Sequence, residues 1–166
     1  MDMFHEKIVR RRKSLMDMAY ISLFFAAALI ISFFTFLLLP SLALIIAFGV
    51  FYLAWFLASK RNIEYEYAVT NGDMDIDIIF NQRKRKRVFS ATCKDFDVVA
   101  KIKADQYTKE IRETKLVEDY SSRNPEADIW FVYLKHNGKT KVILFEPEDR
   151  MIESFRTFIP RKVFKN

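Results

Sequence analysis

The chain contains a run of 42 residues, from Met18 to Ser59, that carries no Asp, Glu, Lys, Arg or His. Pro40 and Ser41 interrupt this run near its middle. About 20 apolar helical residues cross the roughly 30 Å core of a bilayer, whereas 42 residues in one helix would extend for about 63 Å. The run therefore predicts a transmembrane helical hairpin, with spans at 18–39 and 42–59 and a turn at 40–41.

Two export signals are alternatives to this hairpin. Small residues at 26–28 could mark a signal-peptide cleavage site, but about seven apolar residues would precede it, which is short for such a signal. Arg11 and Arg12 could belong to a twin-arginine signal. Both alternatives are disfavoured because the apolar run continues far beyond the length that either signal needs.

Basic residues flank both outer ends of the run, while the central turn is uncharged. Residues 1–17 are accordingly predicted to be a basic cytoplasmic segment, with a short interfacial helix as the alternative. The positive-inside rule then places both termini in the cytoplasm of a two-span cell-membrane protein. Transport is disfavoured because ion pathways usually need an ionisable group within the membrane. The topology-setting residues are Arg10, Arg11, Arg12, Lys13, Lys60 and Arg61.

The remaining composition gives catalysis no visible support. Cys93 is the one cysteine among 166 residues, so neither an intrachain disulfide nor a Cys-rich metal site can form. The three glycines provide no phosphate-cradling loop. We therefore predict no enzymatic activity, no catalytic residues, no metal and no cofactor.

Residues 60–166 have the pattern of a small, strand-rich cytosolic domain. Residues 63–69 and 74–80 alternate in polarity around Asn71-Gly72, which is a strong hairpin signal, and Met74, Ile76, Ile78 and Phe80 are predicted to point inward. Further strands are predicted at 88–92, 96–102, 115–120, 129–135 and 141–145, the last two joined at Asn137-Gly138. Helical spacing after Pro147, the predicted first helical residue, indicates an amphipathic helix that ends at Pro160.

These elements predict an α+β fold, in which about seven strands form an antiparallel meander, as a small β-barrel or sandwich, capped by the C-terminal helix. The succession is similar to the pleckstrin-homology-like (PH-like) domain. The segments that carry this similarity are the hairpin at 65–77, the basic residues at 83–87 and the ending at 145–163. A two-helix hairpin joined to such a domain resembles a group of small bacterial membrane proteins, and this resemblance implies no particular activity.

The strongest charge feature is a run of five cations, predicted to lie in the turn after the second strand. It could hold anionic ligands such as lipid headgroups, or it could be a solvated turn that discourages strand pairing. Nucleic acid is disfavoured because no aromatic residues for base stacking are interleaved. Asp73, Asp75 and Asp77 lack the glycine and glutamate of a calcium loop, so they are predicted to be a solvated face that could pair with the cations. The five residues are Arg83, Lys84, Arg85, Lys86 and Arg87.

These features together predict a membrane-anchored, non-enzymatic interaction or scaffold module. Its PH-like domain would bind a protein partner or anionic lipid headgroups at the cytoplasmic face, and self-association is also compatible with the sequence. The alternative is a structural subunit of a larger membrane complex, with the spans as its interface. An enzyme of unknown type is a minor alternative.

Overall fold

The computed structural model describes residues 4–136 and 138–165. The described residues fall into two compact units, a helical unit at 12–63 and 80–84 and a β-rich domain at 4–11, 64–79, 85–136 and 138–165. The helices are α1 (Leu15–Leu38), α2 (Ala43–Ser59), α3 (Lys109–Arg112) and α4 (Asp149–Phe158). The strands are β1 (Phe4–Arg10), β2 (Ile63–Thr70), β3 (Asp73–Phe80), β4 (Lys84–Thr92), β5 (Phe96–Lys101), β6 (Val117–Asp119), β7 (Trp130–His136) and β8 (Lys139–Phe145).

Helix α1 begins three residues before the uncharged run. Ser14 caps it, because its hydroxyl accepts a hydrogen bond from the Met16 amide at 3.1 Å. The Asp17 carboxylate accepts in return from the Ser14 amide at 3.1 Å, which completes a capping box. The helix start is therefore set by these polar residues and not by the first apolar one.

The two helices of the helical unit are joined by a loop at residues 39–42, which contains Pro40 and Ser41. They pack through small side chains, since Ala28 and Ala54 are both buried, and the rings of Phe25 and Phe51 lie 6.4 Å apart. Among the described residues, α1 is the one helix long and apolar enough to cross a membrane. Helix α2 is shorter, with 17 residues.

The first sheet of the β-rich domain has the order β1-β2-β3-β4. Strand β1 comes from the N-terminal segment, for which the sequence predicted a basic tail. It pairs antiparallel with β2 over its full length, from Phe4 opposite Thr70 to Arg10 opposite Glu64. Residues 1–3 of that segment lie outside the described residues.

This pairing makes the helical unit an insertion within the domain's sequence. Strand β1 precedes α1, and β2 follows α2, yet β1 and β2 are neighbours in one sheet. The helices are therefore inserted, in the sequence, between the first two strands of this domain.

The second sheet has the order β5-β7-β8-β6, which corrects the predicted meander. Strands β5, β7 and β8 are antiparallel, but β6 runs parallel to β8. A parallel pair needs a crossover connection, and the buried Ile111 of α3 anchors the segment before β6. The described residues contain eight strands and not seven, because β1 was not predicted.

The two sheets pack face to face as an open sandwich and do not close into a barrel. Tyr67 of β2 and Phe145 of β8 meet edge to face, with ring centroids 5.8 Å apart. Helix α4 covers this core as predicted. The ring centroids of its Phe155 and of Phe96 in β5 are 5.6 Å apart. The helix begins at Asp149, two residues after Pro147, so Pro147 is not its first residue.

The predicted Asn-Gly turns have the backbone that glycine permits. Gly72 joins β2 and β3 with a φ of 88°, and Gly138 joins β7 and β8 with a φ of 74°. Asn137 lies outside the described residues. At Gly72 an added Cβ would lie 2.8 Å from the Cys93 sulfur and 2.9 Å from Cδ2 of Phe158, so the turn is packed against the rest of the domain.

Candidate functional site

The five cations predicted as a turn lie mostly on a strand. Arg83 ends a short turn that Asn81 and Gln82 form with positive φ values of 48° and 56°. The other four, Lys84 to Arg87, begin β4. All five side chains are exposed, but a strand turns successive residues to opposite faces, so the cations do not form one surface.

Arg85 and Arg87 are used in ion pairs inside the first sheet. Arg85 pairs with Glu66 of β2, and Arg87 pairs with both Asp77 and Asp75 of β3, the latter at 2.7 Å. Glu66 and Asp77 are buried, at 4% and 6% exposed. The two arginines therefore neutralise carboxylates that would otherwise be buried without a counter-charge.

The electrostatics of these pairs follow from burial. Desolvation raises the pKa of the Glu66 carboxyl above its ordinary value, while the charge of Arg85 acts in the opposite direction. The hydrogen bond that Arg87 donates to Asp77 raises the pKa of the Arg87 guanidinium. An anion that bound Arg85 or Arg87 would have to displace these carboxylates.

Asp75 and Asp77 do pair with a cation, but the predicted solvated face is wrong at Asp77, which is buried. Asp73 is exposed at the start of β3. Within the described part of the chain, no group of three or more His, Cys, Asp or Glu side chains is placed to hold a metal ion.

Arg83, Lys84 and Lys86 differ from their two neighbours. In the described residues, no ion pair is formed by any of these three side chains. Arg83 and Lys84 belong to the helical unit, where the Asn81 amide donates a hydrogen bond to the Asn62 carbonyl at 2.8 Å. These two cations therefore lie at the end of the helical unit where α2 terminates.

The basic flanks of the helices lie at that same end. Arg61 follows α2 and lies 3.6 Å from Asp17 in the first turn of α1, with its guanidinium 4.6 Å from the ring centroid of Tyr20. The Lys60 amine lies 4.6 Å from the ring centroid of Phe56. Arg12 and Lys13 are exposed just before α1. One end of the helix pair is thus cationic, whereas the loop at 39–42 carries no charge.

Arg10 and Arg11 are placed by the β-rich domain instead. Arg10 ends β1 opposite Glu64. Arg11 contacts the Tyr65 side chain, and its charge opposes the rise in the Tyr65 pKa that burial causes. These two residues are therefore part of the domain as well as part of the basic flank.

Sequence reasoning missed one structural carboxylate at this end of the helix pair, Asp17. It is 5% exposed, closes the capping box with Ser14 and pairs with Arg61. The spacing of Ser14 and Asp17 matches a capping box, so this signal could have been used to extend α1.

Cys93 has no features of a reactive thiol. It is 1% exposed beside Gly72, and burial raises the pKa of its thiol. A thiolate nucleophile needs the opposite shift. Cys93 therefore has a packing role beside the turn at Gly72.

Two packed sheets are covered by a C-terminal helix, and an apolar helix pair is inserted in the sequence between the first two strands, so the protein has an α+β fold. A family model described as "Bacterial PH-like domain (DUF6106)" matches residues 1–165. The chain belongs to this family. No curated protein and no solved structure matches the sequence.

Proposed function

We propose that this chain is a membrane-anchored interaction module without enzymatic activity, with α1 and α2 in the bilayer and the PH-like domain in the cytoplasm. The observation that carries the proposal is the exposed apolar surface of the helix pair. Leu38, Leu44 and Phe48 are each at least 75% exposed. Contiguous apolar surfaces of more than a few hundred Å² are rare in contact with water, so lipid is the medium that this surface favours.

Helix lengths support one full crossing and a second, shorter one. At about 1.5 Å per residue, the 24 residues of α1 extend about 36 Å and the 17 residues of α2 about 26 Å. The hydrocarbon core is about 30 Å thick. Local thinning of the bilayer accommodates a short span at a modest cost, so we propose that α2 is the second span.

The cationic end of the helical unit is proposed to contact anionic headgroups of the cytoplasmic leaflet. Each cation near such a surface contributes about 1 kcal/mol of attraction. The uncharged loop at 39–42 is then the external side, in agreement with the positive-inside rule. The proposed contact residues are Arg12, Lys13, Lys60, Arg61, Arg83 and Lys84.

Lipid preference tests the role of Arg83 and Lys84. The full chain is reconstituted in nanodiscs of phosphatidylcholine, with or without 30% phosphatidylglycerol, and the thermal midpoint of unfolding is compared. We expect the anionic lipid to raise the midpoint of the wild-type chain. The double substitution R83E/K84E should reduce this increase, and the control K115E/K139E should leave it unchanged. Equal increments for all three chains would contradict headgroup contact by these residues.

Topology is tested separately by labelling single engineered cysteines in intact cells. Because the native Cys93 is buried, the chain without an added cysteine gives the background. We expect an impermeant thiol reagent to label Ser41→Cys in the loop between the helices but not Glu126→Cys in the exposed loop before β7. Labelling of Glu126→Cys from outside would refute the cytoplasmic placement of the domain.

A structural subunit of a larger membrane complex is the second candidate function. The same exposed apolar surface favours it, since protein can replace lipid around α1 and α2. The small residues Ala28 and Ala54 are already buried in the described chain, which leaves them unavailable for a close helix contact with another protein. A photo-crosslinking amino acid in place of Phe48, followed by identification of the adducts formed in cells, separates the two functions. Protein adducts would support the subunit, and lipid adducts would support the anchor.

A further inference from the structure

Strand β1 is an outer strand of the first sheet, and β2 is its neighbour among the described strands. Its outward side carries two large apolar groups that water contacts, since Phe4 is 58% and Ile8 is 53% exposed. Long outer strands with exposed apolar residues are templates for pairing with another strand.

The opposite outer strand of the same sheet is protected in a way that β1 is not. Strand β4 begins with four cations, of which Lys84 and Lys86 form no ion pair among the described residues, and such like charges discourage the pairing of two copies. Strand β1 instead alternates charges of both signs, with Glu6, Lys7 and Arg10. A strand with both signs can be complementary to its own copy.

Register arithmetic restricts how two β1 strands can pair. Antiparallel pairing that continues the sheet must match outward residues with outward residues, because a shift by one residue turns every side chain to the wrong face. Phe4, Glu6, Ile8 and Arg10 point outward, while Val9 is buried. A symmetric pair must therefore be centred on one residue that faces its own copy.

Charge selects one of these registers. Centring on Glu6, Lys7 or Arg10 places identical charges directly opposite each other. Centring on Phe4, His5 or Val9 pairs no more than three residues of each strand. Centring on Ile8 pairs residues 6–10 of both copies, with Glu6 opposite Arg10 twice and Ile8 opposite Ile8. Glu6 and Arg10 are about 13 Å apart along one strand, so they do not neutralise each other within a copy. In the pair, each Arg10 lies between Glu64 of its own chain and Glu6 of the second copy.

We propose that two copies of this chain associate through their β1 strands, in the antiparallel register centred on Ile8. The two first sheets then form one continuous eight-stranded sheet. Two Glu6–Arg10 pairs flank a central contact between the Ile8 side chains on its outward face. This association requires the β-rich domain but not membrane insertion, so it is independent of the proposed anchoring.

Site-directed crosslinking of the full chain in detergent micelles tests the contact. Directly opposed residues of an antiparallel pair have Cβ atoms about 5 Å apart, so Ile8→Cys is expected to give a dimer with a short thiol crosslinker. Val117→Cys, on the outer strand β6 and 43% exposed, is the matched control and is expected to remain monomeric. The wild-type chain gives the background from Cys93.

Charge reversal in the Ile8→Cys chain tests the register. E6R places arginines opposite each other, and R10E does the same with glutamates, so each variant is expected to lose dimer yield by about fivefold or more. Mixing the two variants restores opposite charges at both pairs, and differently tagged copies are expected to crosslink to each other at the original yield.

The mixture also controls for folding, because a misfolded variant cannot be rescued by a second one. Equal crosslinking of Ile8→Cys and Val117→Cys would overturn the β1 interface. Yields that are insensitive to charge, or a mixture that is no better than its components, would overturn the Ile8-centred register. Anchoring is measured by the topology labels and is unaffected by any of these results.

Discussion

The β-rich domain buries its large apolar side chains, whereas the helical unit exposes many of its own. Tyr67, Val69 and Met74 of the domain are fully buried, whereas Leu44 and Phe48 of α2 are at least 75% exposed. The domain is organised as water requires, with an apolar interior. The helical unit has the opposite arrangement, with large apolar side chains on its surface, and this is the surface that we propose to be in contact with lipid.

Charged groups differ between the two units in a related way. The domain buries the carboxylates Glu66 and Asp77 and compensates each with an arginine of β4. The helical unit keeps its charges at one end, where Asp17 and Arg61 connect the start of α1 to the residues after α2. Charge within the domain stabilises a specific sheet, whereas charge on the helices marks one end of the pair.

The largest effect is expected for deletions that test whether the β-rich domain can fold without the helices. A fragment of residues 60–166 lacks β1 and with it the buried Val9 and the whole β1–β2 ladder, so we expect it to be unfolded or aggregated. Because Arg10 and Glu64 are directly paired, a two-residue Asn-Gly turn can replace residues 11–63. We expect this variant to be soluble and to unfold cooperatively by circular dichroism. Cooperative folding of 60–166 by the same measurement would show that β1 is dispensable.

Alanine substitutions at the three glycines test how tightly each position is packed. Gly72→Ala introduces a Cβ within 3 Å of two side chains at a positive φ, and we expect a loss of about 2–5 kcal/mol in the free energy of unfolding. Gly138→Ala has a positive φ but open space, so about 1–2 kcal/mol is expected. Gly49→Ala on α2 also has open space, and we expect no change in domain stability.

Trp130 provides the measurement for these variants. It is buried in β7, and Trp55 is the second tryptophan of the chain. With Trp55 replaced by Phe, urea unfolding followed by fluorescence reports on the β-rich domain. Equal losses for Gly72→Ala and Gly138→Ala would mean that backbone conformation and not packing determines the cost at Gly72.

Much of the fold could be predicted from local sequence patterns. Helix spacing, strand alternation and the Asn-Gly turns depend on neighbouring residues, so α4, β2 and the turn at Gly72 were placed correctly. The apolar run likewise located α1 and α2. These features are visible because each is repeated within a few residues.

The features that were missed depend on residues far apart in the sequence. Strand β1 resembles a basic flank, and it becomes a strand because β2 offers an edge more than 50 residues later. Ile78 was predicted to point inward, but the structure buries Asp77 and Ile79 instead, and Arg87 compensates the Asp77 charge. The predicted turn at residues 84–87 is wrong for the same reason, since Glu66 and Asp77 of the same sheet are the partners of two of these cations.

Alanine substitutions at two adjacent cations, Arg87 and Lys86, test whether the cations of β4 differ according to their ion pairs. Arg87→Ala leaves Asp77 buried without its partner. Because the Arg87 side chain is itself 53% exposed, we expect a loss of about 1–2 kcal/mol in the free energy of unfolding, which is smaller than for a fully buried pair. Lys86→Ala is the matched control on the opposite face, and we expect a change within about 0.5 kcal/mol. Urea unfolding monitored at Trp130 distinguishes them. Equal effects would place Arg87 among the solvated cations.

The smallest expected effect is a change in pH dependence at Glu66. Burial raises the pKa of the folded carboxyl above its ordinary value of 4.5, so above pH 4.5 the folded state holds more protons than the unfolded state. By linkage, the free energy of unfolding therefore decreases as pH rises from 4.5 through the raised pKa. Glu66→Gln removes this titration, so its unfolding free energy should decrease less over that interval than that of the wild-type chain. Glu126→Gln, in an exposed loop, is the control. An unchanged slope for Glu66→Gln would show that Arg85 fully offsets the desolvation of Glu66, and the buried pairs of the sheet would then resemble the exposed ion pairs of the surface.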